Sequence, residues 1–445
     1  MLVVAAPAQA APPWTPPVAL PVSQLPPRVE ANELDQAGLL PHLSAGKFLA
    51  APQLVWWRGG EDSRTLVALN GTQTLRARTS RSAVAASRYA VARVLTLDAR
   101  IVDRRNLERK QLGYRIGDAR LERLGSVREI GGPRSIRWAP QLAVNEDGAA
   151  IAAWHHIVRG RSDEIQVAWR PAGGRFSTIR TVATTGVDDE SIVGVGIDTG
   201  GRAVVAYSRN GRLAVRAIRV KTGWMSAEAS VAPPAGQRRP TEIVVGTGEP
   251  GNVVVAWRAY PVTEGPTGHV DAAAAILPVG SNRPRAAVSL GEGDLIGYPR
   301  GPIAATVDAT GRPVVAWTVP ARPGVSVPTV RVASQSGVWG APQVLDSSGS
   351  IGSLVREGGG AAVGWLRETP GGEGHGQPLG VFVARMPEGE AFGAAELVDD
   401  VSSSGTAFDG LQPPGLGPSV TGGLLAVYAD HGLNGVGGSA RVSTR

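Results

Sequence analysis

Apolar runs along the chain recur in pairs that are separated by a short turn containing glycine. The clearest pair extends from Pro140 to Trp154 and reads PQLAVNEDGAAIAAW. Two short apolar runs on either side of such a turn are typical of a β-hairpin. The pair returns further along the chain, and its second run then ends at one of the aromatic residues Tyr207, Trp257, Trp317, Trp365 and Tyr428.

These closing aromatics follow one another at intervals of 48 to 63 residues. A second marker, a glycine shortly before an aromatic residue, opens the last strand of several units, ahead of Phe176, Trp224, Trp339 and Phe392. Repeats of this length with four strands each are the signature of propeller blades. The pattern therefore predicts an all-β protein with a single β-propeller of four-stranded blades, in which each blade covers the open face of the next.

The number of closing positions predicts eight blades. These positions are Trp57, Leu95, Trp154, Tyr207, Trp257, Trp317, Trp365 and Tyr428. If the two irregular units before Pro140 form one blade, the number is seven, and a solenoid is a weaker alternative because no capping helices are evident. The propeller is assigned to residues 46–445, with its first strand at 46–50. The last unit lacks a fourth strand, and we expect the segment 27–32 to supply it.

The first eleven residues, MLVVAAPAQAA, have an apolar stretch followed by Ala8-Gln9-Ala10, which fits a signal-peptidase site. No basic region precedes the stretch, so residues 1–11 are predicted to be the remnant of a signal peptide. The protein is then secreted or bound to the cell surface, and a terminal segment of a cytoplasmic protein is the alternative. Residues 12–45 are predicted to be a proline-rich linker and closing segment. No run of 18 apolar residues occurs, so no membrane span is expected.

Turns of the form Asp-x-x-Gly begin at Asp198 and Asp308, and a shorter Asp-Gly turn begins at Asp147. Each is followed by a strand that ends on Trp or Tyr. These turns resemble the repeats of secreted bacterial β-propellers that are grouped loosely as sialidase-like. The resemblance covers most of residues 46–445, but the sialidase Asp box, Ser-x-Asp-x-Gly-x-Thr-Trp, is not matched in any copy. The resemblance implies the fold and says little about activity.

Charge is distributed unevenly along the 445 residues. The chain has 42 Arg and 3 Lys, a net charge of +7 and no Cys, which excludes disulfides and thiolate metal sites. The segment from Arg76 to Arg137 contains 15 Arg and one Lys against six acidic residues, a local net charge of +10. This basic segment (residues 76–137) is interpreted either as a polyanion-binding surface or as a solvated outer face.

The predicted turns between the first and second strands are tight, whereas the loops between the second and third strands and the links between units are long. Long loops on a rigid scaffold are where binding groups usually lie. We therefore predict a ligand site near the central channel on the side of the long loops, called here the long-loop face. The candidate ligand-binding residues, which precede or flank predicted innermost strands, are Arg137, Arg239, Asp294, Tyr298 and Arg300.

No cofactor and no metal site are predicted. Adjacent residues of a strand point to opposite faces, so His155 and His156 do not easily share one ion. The acidic runs 188–190 and 399–400 offer hard oxygen ligands for calcium but no complete ligand set. The sequence has no Walker loop, no dinucleotide-binding fingerprint and no serine-centred nucleophile elbow.

The predicted function is that of an exported, non-catalytic, monomeric propeller that binds a glycan, a cell-wall polymer or a protein. The alternative is a sialidase-like glycoside hydrolase or lyase, which would need an arginine cluster, a tyrosine nucleophile paired with a glutamate, and a further acid. The missing Asp boxes and the absence of such a pair in a fixed context favour binding. An assembly or stalk module remains a third interpretation.

Overall fold

The structure is a computed structural model that describes residues 14–19, 37–39, 53–59, 63–69, 75–79, 83–89, 93–103, 105–106, 108–117, 124–136, 140–158, 162–186, 192–261, 269–295, 303–322, 325–369, 378–401, 414–418, 424–430 and 439–444. For the strands between residues 37 and 94 the description covers the backbone alone. All regular secondary structure in these ranges is β-strand. Within them, no helix has the length and apolar character needed to cross a membrane.

The described strands form eight antiparallel sheets in which strands consecutive in the chain lie side by side. The first short strand, β1 (Val18–Ala19), belongs to the last sheet. Sheet one contains β2 (Ala37–Leu39), β3 (Gln53–Gly59), β4 (Ser63–Leu69) and β5 (Leu75–Thr79), and sheet two contains β6 (Ala83–Tyr89), β7 (Arg93–Ile101), β8 (Arg109–Ile116), β9 (Arg128–Glu129) and β10 (Arg134–Ser135). Sheet three contains β11 (Gln141–Val144), β12 (Ala150–His156), β13 (Glu164–Arg170) and β14 (Arg180–Thr184). Sheet four contains β15 (Val193–Ile197), β16 (Arg202–Arg209), β17 (Arg212–Arg219), β18 (Trp224–Met225) and β19 (Ala229–Val231).

The second half of the chain repeats the same arrangement. Sheet five contains β20 (Gln237–Gly246), β21 (Val253–Pro261), β22 (His269–Leu277) and β23 (Val288–Leu295), and sheet six contains β24 (Ala304–Val307), β25 (Pro313–Arg322), β26 (Val325–Val332) and β27 (Gln343–Val344). Sheet seven contains β28 (Ser350–Glu357), β29 (Gly360–Glu368), β30 (Pro378–Met386) and β31 (Glu396–Asp400). Sheet eight contains β32 (Gly415–Pro418), β33 (Leu424–Asp430) and β34 (Ser439–Thr444), together with β1.

The sheets follow one another around a common axis. The first strands of consecutive sheets are in contact from β11 to β15, β20, β24, β28 and β32, and β32 in turn contacts β2 of sheet one. First strands therefore lie innermost, and the fourth strands lie at the outer edge. Consecutive antiparallel sheets packed in this way make the fold a β-propeller.

The hydrophobic core lies between neighbouring sheets. On β12, Ile151 and Ala153 belong to the cluster shared with sheet four, whereas Ala152 and Trp154 belong to the cluster shared with sheet two. Because successive side chains of a strand point to opposite faces, a strand covered on both faces is apolar along its whole length. This is why the second strand of each unit reads as an unbroken apolar run.

The predicted closing aromatics occupy equivalent places. Each packs against the preceding sheet and is at most 1% exposed, as seen for Trp154, Tyr207, Trp257, Trp317, Trp365 and Tyr428. Leu95 is not an equivalent of these residues, although it is fully buried. It packs in the cluster shared with the following sheet, because the pleat of β7 points it to the opposite face. Counting Leu95 as a closing position was therefore wrong, and Trp57 has no described side chain.

Innermost strands approach one another closely at glycines. A Cβ on Gly194 would lie 2.7 Å from the backbone oxygen of Ile243, and one on Gly248 would lie 2.5 Å from that of Val307. Real Cβ atoms do not approach a backbone oxygen to such distances. Glycine at Gly194 in β15 and at Gly248 just after β20 is thus required by the narrow space near the axis.

The turns between first and second strands share one side-chain cap. Asn145, Asp198 and Asp308 each accept a hydrogen bond through Oδ1 from the amide of the residue four positions later, at 2.8 to 2.9 Å. The glycine three positions after each of them has a φ of 78 to 82°, which favours glycine. The repeated Asp-x-x-Gly pattern is therefore a turn motif. In the hairpin of sheet three the capping residue is Asn145, so the turn begins two residues before the Asp147 position given by the sequence.

The ends of the ring differ from the sequence prediction in two places. The fourth strand of sheet eight is β1, with Val18 opposite Val442; the predicted segment 27–32 lies outside the described residues. The first strand of sheet one is β2, which precedes the predicted 46–50 segment, and that segment also lies outside the described residues.

The close approach of innermost strands gives a test with a matched control. Gly248→Ala should lower the free energy of unfolding by about 1–3 kcal/mol, because the new methyl group overpacks against the backbone of β24. Gly251→Ala should change it by less than about 0.5 kcal/mol, since its nearest non-neighbouring atom would be 3.5 Å away. Urea denaturation of both variants measures the difference. Equal effects would contradict the packing described here.

Candidate functional site

The five predicted ligand-binding residues lie at the edge of what the structure describes. Arg239 lies in β20 and Asp294 lies in β23, but their side chains are not described. Arg137, Tyr298 and Arg300 lie outside the described residues. Whether these side chains converge therefore stays a prediction.

A carboxylate that the sequence reasoning missed lies close to these positions. Glu242 of β20 accepts a hydrogen bond through Oε1 from the amide of Ile303, 3.3 Å away in the next unit. Its Oε2 lies 3.4 Å from Nε of Arg258. Burial raises the pKa of Glu242, while the positive charge of Arg258 and the Ile303 amide oppose the rise. Glu242 thus links β20 to the start of β24, three residues after the predicted ligand-binding residue Arg239.

At the other end of the innermost strands, the tight turns of consecutive sheets are hydrogen-bonded to one another. Asn145 Nδ2 donates to the backbone oxygen of Asp198, and the Thr199 amide donates to the oxygen of Gly248. Asn252 Nδ2 then donates to the oxygen of Gly311. The Ala309 amide likewise donates to the oxygen of Gly359. This series, called here the turn circuit, links sheets three to seven.

One ion pair spans the interior of the ring beside the turn circuit. Arg356 of sheet seven donates through Nη2 to Oε1 of Glu249 in sheet five, at 2.9 Å. Oε2 of Glu249 accepts a hydrogen bond from Thr199 Oγ1 at 2.8 Å. Because sheets five and seven are not neighbours, these side chains must meet inside the ring. The group therefore marks one mouth of the channel.

Two glutamates at this mouth have pKa values shifted in opposite directions. Hydrogen bonds from Thr199 and Arg356 lower the pKa of Glu249. Partial burial and the nearby charge of Glu249 raise the pKa of Glu146, against the opposing effect of Arg356. Two carboxyl groups whose pKa values are shifted in opposite directions can serve as an acid and a base, although structural ion pairs produce the same shifts.

A tyrosine–glutamate pair is present, but its tyrosine is buried in the core. Tyr207 donates a hydrogen bond to Glu228 Oε2 at 2.6 Å, and Arg209 Nη1 donates to both carboxylate oxygens of Glu228. Burial, with a further contribution from the Glu228 hydrogen bond, raises the pKa of Tyr207. A fully buried tyrosine that is held protonated is a poor nucleophile. The pair is therefore structural.

The two adjacent histidines have different partners. His155 is 1% exposed and its Nε2 lies 3.2 Å from Oδ2 of Asp163, whereas His156 Nδ1 lies 2.9 Å from the backbone oxygen of Ser135. Within the described part of the chain, no three His, Asp or Glu residues are grouped so that they could hold a metal ion. The acidic run 188–190 lies outside the described residues, and Asp399 accepts a hydrogen bond from Tyr428.

The basic segment (residues 76–137) is only partly open to solvent. Arg105 and Arg109 are exposed, Arg104 lies outside the described residues, and Arg115 pairs with the buried Asp98 at 3.3 Å. Because Arg105 and Arg109 are exposed, binding of a polyanion by this segment stays a prediction.

Comparisons with known proteins give no family. No protein-family model matches the chain, and no curated protein matches it. The chain is similar in structure to the Dos1 propeller, with a TM-score of 0.47 and 10% identity over 92% of this chain and 95% of that one. For the β-propeller domain of the Trilobed protease from Pyrococcus furiosus the TM-score is 0.42, with 12% identity over 82% and 99%.

A prolyl endopeptidase structure gives a TM-score of 0.45 and 11% identity over 89% of this chain and 53% of that one, so the chain spans about half of its length. At such identities and TM-scores, no ligand or activity of these proteins transfers to this chain.

The opposite pKa shifts at the channel mouth predict opposite effects of two similar substitutions. Glu249→Gln should lower the free energy of unfolding at neutral pH by about 0.2–1 kcal/mol, as expected for a partly exposed ion pair. Since its folded-state pKa is lowered, the contribution of Glu249 is present above the unfolded pKa and is lost as the pH falls through the folded value. Glu146→Gln should instead raise the stability at neutral pH, because ionised Glu146 is disfavoured in the folded state.

Urea unfolding of both variants at neutral pH and below about pH 3 measures these effects, and in acid each variant should approach the parent protein. Destabilisation by Glu146→Gln at neutral pH would contradict the assigned environment.

Proposed function

We propose that the chain is an exported, non-catalytic binding protein that holds a glycan, a cell-wall polymer or a protein on its long-loop face. The Ala8-Gln9-Ala10 site supports export, and the long loops on a rigid scaffold support binding at that face. The predicted ligand-binding residues remain Arg137, Arg239, Asp294, Tyr298 and Arg300.

The observation that carries this proposal is the contact of Glu242 with Ile303. It fixes the middle of β20 beside the start of β24 in the following unit. Arg239 and Arg300 each lie three residues before one end of this contact, and three residues span at most about 11 Å. This closeness along the chain supports the proposal that both arginines bind one ligand. Glu242 and Arg258 add a hydrogen-bond acceptor and a second cation to the same region.

A closed ring of eight blades forms part of the proposal. Eight sheets are found among the described strands, and β32 and β33 of the last sheet contact β2 of the first. The pairing of β1 with β34 supports closure, because it holds residues 18–19 and 441–442 together. We expect this closed ring to be a monomer.

The second candidate is a sialidase-like glycoside hydrolase or lyase, and the paired carboxylates Glu146 and Glu249 favour it. If they act as acid and base, Glu146→Gln and Glu249→Gln should each abolish the release of reducing ends or unsaturated products from a panel of glycans. Asp147→Asn, which removes a neighbouring exposed carboxylate, is the control. A parent protein that binds a glycan without cleaving it supports the first candidate.

The binding proposal is tested at its two best-supported arginines. Arg239→Ala and Arg300→Ala should each weaken binding of the ligand found in a glycan and cell-wall polymer screen by about tenfold or more, the loss expected for a charge-assisted hydrogen bond. Arg175→Ala, an exposed arginine on the side of the tight turns, should leave the affinity unchanged. Isothermal titration calorimetry measures all three. A loss confined to Arg175→Ala would place the ligand on the other face.

A further inference from the structure

One of the four recurrent aromatic residues that open the fourth strands differs from the others. Phe392 belongs to a buried cluster, and Phe176 and Trp339 pack against buried clusters. Trp224 is 45% exposed and belongs to none of the described clusters. A single exposed aromatic is ordinary on a protein surface, so its meaning depends on its surroundings.

Trp224 lines a groove of about 470 Å³ between sheets four and five. One wall is the outer edge of sheet four, and the other is the turn that carries Asn282 and Arg283 in sheet five. A second groove, of about 430 Å³, shares Glu228 and Ser230 with the first. The two grooves together are called here the trough; it runs along the outer edge of sheet four and is lined by Trp224, Glu228, Asn282, Arg283, Arg209 and Arg212 among others.

The trough is elongated. It follows β17, whose two ends are Arg212 and Arg219, and Trp224 pairs with Arg219. With a rise of 3.3 Å per residue, the trough extends for about 23 Å. This length suits an extended polymer better than a small compact ligand.

Both walls of the trough are held in place. The outer edge breaks between β18 and β19, and Ser226 Oγ accepts a hydrogen bond from the Ala217 amide at the break. Tyr207 and Arg209 fix the carboxylate of Glu228. On the other wall, Arg202 of sheet four donates to the backbone oxygen of Ser281. Groups fixed before binding lose little freedom when a ligand arrives.

The charges of the trough favour an anionic ligand. Three arginines, at positions 209, 212 and 283, line it, and Glu228 is the one carboxylate among its described lining residues. Arg209 is paired with Glu228. Among the described residues, the guanidinium groups of Arg212 and Arg283 have no hydrogen-bond or ion-pair partner, and both residues are exposed. The guanidinium of Arg219 lies 5.5 Å from the ring centroid of Trp224.

We propose that the trough binds an acidic polysaccharide. Trp224 stacks on the apolar face of a sugar ring, Glu228 and Asn282 hydrogen-bond to hydroxyl groups, and Arg212 and Arg283 contact carboxylate, sulfate or phosphate groups. A single-stranded nucleic acid would use successive aromatic platforms, whereas the trough has one exposed aromatic together with acceptors suited to sugar hydroxyls. This site lies on the rim of the ring and is separate from the long-loop face.

The experiment measures binding of the full chain to polygalacturonate, heparin, dextran and an oligothymidylate by affinity electrophoresis and tryptophan fluorescence. The parent protein should bind an acidic polysaccharide, with weaker binding in high salt and little binding to dextran. Trp224→Ala should weaken binding about tenfold and remove the fluorescence change, while Trp224→Tyr should retain most of the affinity. The double variant Arg212→Gln/Arg283→Gln should weaken binding and reduce its salt dependence.

Three controls keep the result interpretable. Arg175→Gln removes an exposed arginine outside the trough and should bind as the parent does. Arg105→Gln/Arg109→Gln tests the basic segment, and Arg239→Ala/Arg300→Ala tests the long-loop face. Thermal unfolding confirms that each variant is folded.

The proposal is overturned if the parent binds no acidic polysaccharide, or binds dextran equally well. It is also overturned if folded Trp224 and Arg212/Arg283 variants bind as the parent does, or if only the basic-segment or long-loop variants lose binding. Tighter binding of the oligothymidylate that is lost in Trp224→Ala would identify the trough as a nucleic-acid site instead.

Discussion

The turn circuit sets the distance between innermost strands, and the rest of the ring depends on that distance. Each capped turn is rigid because a buried Asn or Asp holds its own loop, as Asn145 and Asp198 do. Each turn is also hydrogen-bonded to its neighbour, so adjacent first strands converge. Only glycine fits where the strands meet, at Gly194 and Gly248 for example. The capped turns and the glycines are therefore two parts of one requirement, and both recur together in the sequence.

This coupling explains which parts of the fold could be predicted. The apolar runs and closing aromatics such as Trp154 and Trp257 reflect burial on both faces of the second strand. Such burial can be predicted because it requires apolar residues at successive positions of the sequence. Leu95 shows the limit of this reasoning, since it is apolar and fully buried like the closing aromatics but faces the other way. The pairing of β1 with β34 joins chain ends more than four hundred residues apart, and two short strands carry too little pattern to identify each other.

The candidate site was less predictable from the sequence, because its residues are far apart in the chain and meet only in the folded protein. Glu249 and Arg356 are 107 positions apart, and they meet because the ring brings two non-neighbouring sheets together on its inside. No local pattern distinguishes these residues from other charged residues in turns. Glu242 was missed because its role depends on an amide in the next unit. Long loops could be recognised from the sequence, but their length alone does not show which side chains converge.

Polar partners of the buried aromatics explain why catalytic pairs are easily misread in this fold. The hydroxyl of Tyr428 donates to Asp399, and Trp365 Nε1 donates to Asp346, as Tyr207 donates to Glu228. In each case a buried aromatic carries one polar atom, and an acidic side chain accepts its hydrogen bond. Buried polar atoms need such partners. A tyrosine beside a carboxylate is thus expected from packing alone and is weak evidence for a nucleophile.

The same reasoning applies to the arginines, which outnumber the lysines fourteen to one. Many are occupied within the fold: Arg312 pairs with Asp308, and Arg385 pairs with Glu357, both in partly buried positions. Counting arginines along the chain therefore overstates the positive charge that is available to a partner. Arg212 and Arg283 are exposed, have no partner among the described residues and line the same trough as Trp224. An exposed arginine that has no internal partner and lines a groove with an exposed aromatic residue is a better candidate for ligand binding than an arginine that is paired within the fold.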